Sequence, residues 1–522
     1  MIAIIDRSHD ELTREVVLRA FQRSFTRGQV RFVEEIAELP RTPAVVVVIA
    51  PAESDADWLE AMLRQPCKIV IFGSVGPRVA RLAGIVVRAT DEASLQAADC
   101  ESAPTYGLTE SKASLVYARL GIGAASPLAR RHFCRFDFTN EWNNLGYGRM
   151  SFGGGAWSIG VTATLLDATS VGALALGEAL TGQSVATVRD LPMASLLWFA
   201  RPVGPVDGPD WSIVERFIAD YRATDLPCLP CLRDIPHGIS AAVTMRLDCD
   251  EDIASSRPLF ELYRSRGLPL SVAIKTDQPE GPEHLALLND LRDFGGSIMS
   301  HSVTHAPNWG GSAEAAEREA RDSKAWLENN IAGLHVRYAV SPFHQNPSYV
   351  PQALARAGLD GFIGGIIAND PEYLMARGGA APFSPPGFVS HSQACMLHGD
   401  CMLAEGDPIR IYKQAFRQAK AAGQFFGYLD HPFSPRYAYG WASEPERVAV
   451  HAAFLDFIEA ECAGEPMLFL NEETCLDFMR GKDATEIAFD AAHDNVAVSQ
   501  ISAAGLPLSI GWRGQQVAAA DV

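Results

Sequence analysis

Met245-Arg-Leu-Asp-Cys-Asp-Glu-Asp252 places five charged side chains in eight positions, directly after the apolar run Ile239-Ser-Ala-Ala-Val243. A buried strand that ends in mutually repelling carboxylates needs something to hold them together, and a cation is the simplest agent. Outward from this octet, strand-like and helix-like segments alternate from Gly238 to about Lys482. That alternation predicts a parallel sheet or barrel covered by helices, with the acidic cluster at a strand end.

A second cluster follows in Gly295-Gly-Ser-Ile-Met-Ser-His301-Ser-Val-Thr-His305. Ser297 to Met299 reads as a strand, and a spacing of four predicts His301 and His305 on one face of a helical turn, where both imidazoles reach one ion. Two histidines and a carboxylate leave a coordination position open for water, the pattern of a catalytic rather than a structural metal site. Bound water in such a site has its pKa lowered from about 15.7 towards 7, which points to a hydrolase. Each cluster alone also fits a helix N-terminus or plain surface residues; their order and spacing together favour the metal.

Together these residues resemble the polysaccharide deacetylases with a NodB-homology domain, of the carbohydrate esterase class. In that family a strand-end Asp pair supplies a base and a metal ligand, and an H-[ST]-x-x-H segment supplies two more ligands; Asp248-Cys-Asp250 and His301-Ser-Val-Thr-His305 match. The resemblance makes Asp248 the general base and Asp250, His301 and His305 the ligands of one divalent ion, zinc first, with cobalt, nickel, manganese and iron open. Ser341-Pro342-Phe343 resembles the R-x-P-Y loop, implying that the Phe343 amide helps hold an oxyanion and that Pro342 lies against substrate. Phe426-Gly-Tyr-Leu-Asp-His431 resembles the last motif, implying His431 as general acid and Leu429 as a wall of the acyl methyl pocket. The implied activity is hydrolysis of an N-acyl, foremost N-acetyl, group on an amino sugar or surface-polysaccharide precursor.

The resemblance covers roughly residues 238 to 480 and departs from the family in two places. Val340 stands where the family has Arg, so the base lacks its usual partner unless Arg246 or another cation replaces it. The Asp that tunes the acidic histidine has two candidates, Asp370 and Asp400, and His344, His391 and His398 rival His431. These departures keep open a carbohydrate-binding or scaffold protein with a degenerate deacetylase domain, or a hydrolase of another C–N or ester bond.

The rest of the chain constrains function less. At 522 residues it exceeds one core. Residues 1–103 alternate strands (Ile2 to Ile5, Val45 to Ile49, Lys68 to Phe72) with amphipathic helices, one opened by a Ser8/Glu11 capping box, and predict a small doubly wound parallel α/β domain. Gly73-Ser-Val-Gly76 lacks a full phosphate-loop pattern and reads as a plain turn. Residues 104–235 read as a mixed β-rich domain whose aromatic stretch from Phe138 to Trp157 suits either a core or a sugar; 236–482 form the deacetylase-like (β/α) barrel, and 483–522 a small β appendage.

A formal net charge of −19 argues against nucleic acid and gives no attraction to acidic lipid. Ten scattered cysteines make no disulfide framework, and Cys228-Leu-Pro-Cys231, a lone pair in a Pro-rich linker, is half a zinc site at most. The N-terminal apolar run is too short for a signal peptide and no stretch reaches membrane-spanning length, so the expected location is the cytoplasm and the expected partner a carbohydrate.

Overall fold

The structure is a computed structural model that describes residues 1–34, 36–39, 44–98, 112–133, 150–206, 208–277, 281–364, 377–391, 395–434, 436–490, 495–499, 502–503 and 505–521. Asp370, and all of the 138–157 stretch before Met150, lie outside the described residues.

Val45–Ile49 and Cys67–Phe72 are buried at every position. Their continuous apolar runs suit parallel strands covered on both faces. The strand order is Val30–Phe32, Ile2–Asp6, Val45–Ile49, Cys67–Phe72, with all these pairings parallel. Ala194–Phe199 then joins Cys67–Phe72 in parallel, and the antiparallel strands Ala179–Asp190, Thr169–Leu176, Ala113–Tyr117 and Arg130–His132 extend the same sheet. Strands from either side of residue 103 therefore share one mixed sheet. The first helix, Glu11–Ser24, is capped by Asp10, whose Oδ2 accepts the Thr13 N–H at 3.1 Å, while Ser8 Oγ turns back to Asp6 at 2.6 Å. After Gly76 the helix start is already met by a carboxylate, Glu53, which accepts the Arg78 N–H at 3.1 Å.

The second sheet carries the site. Its order is Gly379–Ala380, Val389–His391, Gly361–Ile363, Tyr338–Val340, Ile298–Ser300, Ser271–Ile274, Ala241–Cys249, Phe425–Asp430, Cys395–Met396, with Met467–Leu470 also paired to Ala241–Cys249. Every pairing except that of Gly379–Ala380 is parallel. Among the described residues the path stays open, so the sheet is a curled half-barrel.

Alternation along Ala241–Cys249 separates two cores. Val243, Met245, Leu247 and Cys249 pack against outer helices, including Arg257–Ser265 and Glu444–Glu461. Ala242 joins Ala273, Met299, Val340, Ile363, Val389 and Phe425 on the other face, which Cys475, Leu476, Phe478 and Met479 of the helix Glu472–Ala484 fill. Thr244, Arg246 and Asp248 share the Ala242 face by the same period of two.

The C-terminal segment forms hairpins, Glu486–Asp490 with Asn495–Ser499 and Ser509–Trp512 with Gln515–Ala518. The latter hydrogen-bonds to Cys231–Leu232 of the linker. All eight described cysteines are buried. No described helix is long and apolar enough to cross a membrane.

Candidate metal centre

The four carboxylates of Met245-Arg-Leu-Asp-Cys-Asp-Glu-Asp252 take separate partners. Asp252 accepts the Ala254 N–H at 3.0 Å and the Ser255 hydroxyl, and so opens the following turn. Glu251 faces Arg436 at 3.9 Å. Asp248 is buried, and Arg246, two residues back on the same strand face, clamps it: Nε donates to Oδ1 at 2.6 Å and Nη2 to Oδ2 at 3.1 Å. Burial pushes the Asp248 carboxyl up, but Arg246 and then His301 outweigh it and hold it below the usual carboxylate range. Arg246 thus supplies the guanidinium that is absent at Val340.

Asp250, just beyond the strand, meets both histidines. Its Oδ1 lies 3.2 Å from His301 Nε2 and 3.6 Å from His305 Nε2. His301 Nδ1 stands 2.9 Å from the Val340 carbonyl, an acceptor only, so Nδ1 carries a proton and Nε2 is the ring atom that faces Asp250. Burial pushes the His301 pKa down, but Asp248 and then Asp250 outweigh it and raise it, so a bound cation would take the place of a proton on Nε2. Burial, with His301 adding to it, pushes His305 down to about 4, so its imidazole is neutral. Asp250 Oδ1 is itself buried without a well-formed hydrogen bond. Two imidazole nitrogens and a carboxylate oxygen converge, and these ligand atoms all lie within 4.8 Å of one another. A divalent ion with nitrogen and oxygen preferences fits this set.

The two histidines do not share a helical turn, as the spacing of four predicts. Ser302 and His305 both have left-handed backbones, φ 64° and 57°. The turn is fixed from outside: Glu319 Oε2, on the helix Ala313–Asn330, accepts the Val303 and Thr304 N–H groups at 2.9 Å each, and Ser302 Oγ accepts the His305 N–H at 2.9 Å. Tertiary hydrogen bonds override the helical spacing and bring the rings to 4.6 Å between centroids.

Ser341-Pro342-Phe343 closes one side. Phe343 and His344 are left-handed, φ 52° and 58°, and the Phe343 ring packs 4.4 Å from that of His305. Such conformations cost about 1–3 kcal/mol each and collect at functional sites. Pro342 is buried in this turn. Leu429 is buried on the neighbouring strand, in register with Arg246.

His431 closes the other side, its Nε2 3.5 Å from Asp250 Oδ2. Its Nδ1 shares a 2.7 Å hydrogen bond with His398 Nε2, and Tyr439 stacks on its ring at 4.2 Å. Burial, reinforced by His431, pushes His398 down to about 3, which leaves it neutral. Behind them lies Asp430, fully buried, which accepts the His431 N–H at 2.8 Å and sits 3.0 Å from His451 Nε2, 3.5 Å from Arg447 and 3.6 Å from His398 Nε2.

Among the described residues the buried carboxylate near the His431 pair is therefore Asp430, which adjoins His431 in the sequence; of the two candidates the sequence suggests, Asp370 lies outside the described residues. Asp400 stands 3.8 Å from His398 Nδ1, the ring nitrogen turned away from His431. The structure brings Asp248, Asp250, His301, His305, Phe343 and His431 to one end of the half-barrel, sets beside them Arg246, which the sequence offers as a substitute cation, and His398, which it offers as a rival of His431, and adds Glu319 and Asp430. Nothing local marks Glu319. His391 lies apart, its ring 6.2 Å from that of Phe425, and His344 is buried and kept neutral by that burial.

The centre resembles that of the polysaccharide deacetylases. No family model and no curated protein matches the chain. Solved structures that match include a candidate polysaccharide deacetylase from Mycobacterium smegmatis, 14% identical over 49% of this chain and 96% of that one, with a TM-score of 0.35. A family 4 acetyl xylan esterase from Clostridium thermocellum in complex with cobalt is 14% identical over 44% and 87%, TM-score 0.27. An allantoinase is 12% identical over 46% and 91%, TM-score 0.35. At such identities and scores these likenesses add no weight to the residues already placed.

Proposed function

We propose that the chain is a metal-dependent hydrolase that removes an N-acyl group, foremost acetyl, from an amino sugar or surface-polysaccharide precursor. One observation carries this reading: Asp250 Oδ1 faces the Nε2 atoms of two imidazoles at 3.2 and 3.6 Å, with a clamped carboxylate on one side and a third imidazole on the other. Asp250, His301 and His305 would hold the ion, which when bound supplies Lewis acidity for water and for the acyl carbonyl.

The chain's own groups do the rest. Asp248, kept ionised and aimed by Arg246, takes the proton from the attacking water. The Phe343 amide donates to the oxygen that gains charge in the tetrahedral stage. His431 gives a proton from Nε2 to the departing nitrogen, while His398 holds the ring through Nδ1. Leu429 and Pro342 border the acyl group. The clamp on Asp248 supports this reading over the non-catalytic alternative, which rested on the missing Arg at 340.

The test is acetate release from N-acetylated amino sugars and their oligomers by zinc- or cobalt-loaded chain, with O-acetylated sugars and small cyclic amides in parallel. Release from the N-acetyl substrates is expected. Full metal occupancy with no hydrolysis of any N-acetyl sugar overturns the proposal, and turnover confined to esters or cyclic amides replaces its substrate class.

A further inference from the structure

A second group of ligating side chains lies within the core, away from the centre described above. His391 ends the strand Val389–His391, and Glu472 and Cys475 lie one turn apart at the start of the helix Glu472–Ala484. All three are buried, at 2%, 0% and 0% exposure. One ligand atom from each lies within 4.8 Å of the others. His391 makes the case sharp: among the described residues neither of its ring nitrogens has a hydrogen-bond partner, although the side chain is 2% exposed. A neutral imidazole presents a polar N–H and a lone pair, and leaving both bare in a core is unfavourable because each gives up its hydrogen bond to water.

We propose that His391, Glu472 and Cys475 bind a second divalent ion of the thiolate-accepting kind, zinc in the first place. The charge balance favours it. One dication, one carboxylate and one thiolate sum to zero with a neutral imidazole, so the loaded site buries no net charge. Cys475 loses its thiol proton to solvent on binding, its sulfur then bonding the ion; burial, with Glu472 adding to it, keeps that proton on until then. Ligand atoms around a tetrahedral ion with bonds of about 2.0–2.3 Å stand roughly 3.5 Å apart, so closure moves each side chain by less than about 1 Å. Glu472 and Cys475 at i and i+3 present one helix face to the strand. The ion would pin the helix that fills the concave side of the half-barrel to the strand beside it. The site shares no residue with Asp250, His301 and His305, and it stands whether or not the hydrolase reading does.

Cobalt(II) alone is the probe, added to the metal-stripped full chain. Two bound equivalents are expected, with a sulfur-to-cobalt charge-transfer band in the near ultraviolet that the Asp250 centre, having no thiolate, does not produce. Cys475→Ser should lose the band and one equivalent; the double variant His301→Ala/His305→Ala should lose the other equivalent and keep the band. A wild-type chain without the band overturns the proposal, as does a band that survives Cys475→Ser or disappears in Cys401→Ser. Should Cys475→Ser fail to fold, X-ray absorption at the cobalt edge of the wild-type chain decides, since absence of a sulfur neighbour is then the refuting result.

Discussion

Asp248→Asn separates the proposed base from the proposed metal ligands. The substitution conserves shape, but the carboxamide it introduces is neutral and one of its two terminal atoms becomes a donor. The Arg246 contacts at 2.6 and 3.1 Å cannot then both survive, because guanidinium offers only donors. Loss of a general base lowers the rate by about 10²–10⁴, or about 2.7–5.4 kcal/mol at 1.36 kcal/mol per tenfold. Breaking a buried ion pair by removing one partner also costs stability, about 3–5 kcal/mol. For a unit of this size that lowers the melting temperature by about 6–20 °C at 2–4 °C per kcal/mol. The double variant Arg246→Met/Asp248→Leu should recover most of that stability, since an apolar pair leaves no stranded charge, and recover none of the activity. Acetate release, metal content and thermal melting on the same preparations separate the three effects. Refutation is a value of kcat/KM for Asp248→Asn within threefold of wild type. Loss of metal in Asp248→Asn with retention in Asp250→Asn would instead exchange the two roles.

His301→Ala should lose most of the metal taken up at the Asp250 centre, read by competition with a chromophoric chelator, because Nε2 is the imidazole atom nearest Asp250 Oδ1. Glu319→Ala, which touches no ligand, should weaken metal affinity about 10–100-fold by releasing the Ser302–His305 turn; unchanged affinity would show that the turn holds itself. His398 is pushed down to about 3 in the folded chain against about 6.5 unfolded. The unfolded state therefore binds the extra proton as pH falls below about 6.5, and stability is lost between about pH 6.5 and 3, by at most about 5 kcal/mol from this group. His398→Gln should flatten that part of the stability–pH curve, and an unaltered slope in denaturant titrations would contradict the assignment.

Local order was legible wherever a short-range rule applied. The period of two along Ala241–Cys249 put Arg246 and Asp248 on one face, and the apolar runs at Ile2, Val45 and Lys68 marked strands that the structure contains. Rules of the same range failed where a distant group intervened. The Ser8/Glu11 box lost to Asp10, whose carboxylate reaches the Thr13 N–H, and the helical spacing of His301 and His305 lost to Glu319.

The sequence by itself determined which side chains have metal-ligating and acid–base chemistry and that they sit at strand ends, because charge, ligand type and strand alternation are properties of neighbouring residues. Only the tertiary structure decided that His398 backs His431 with Asp430 behind it, that Ala194–Phe199 completes the first sheet, and that the C-terminal hairpin pairs with Cys231–Leu232. These contacts join segments 33 to nearly 300 residues apart. Their partners are selected by burial and by the satisfaction of polar groups across the whole fold, which no local pattern records.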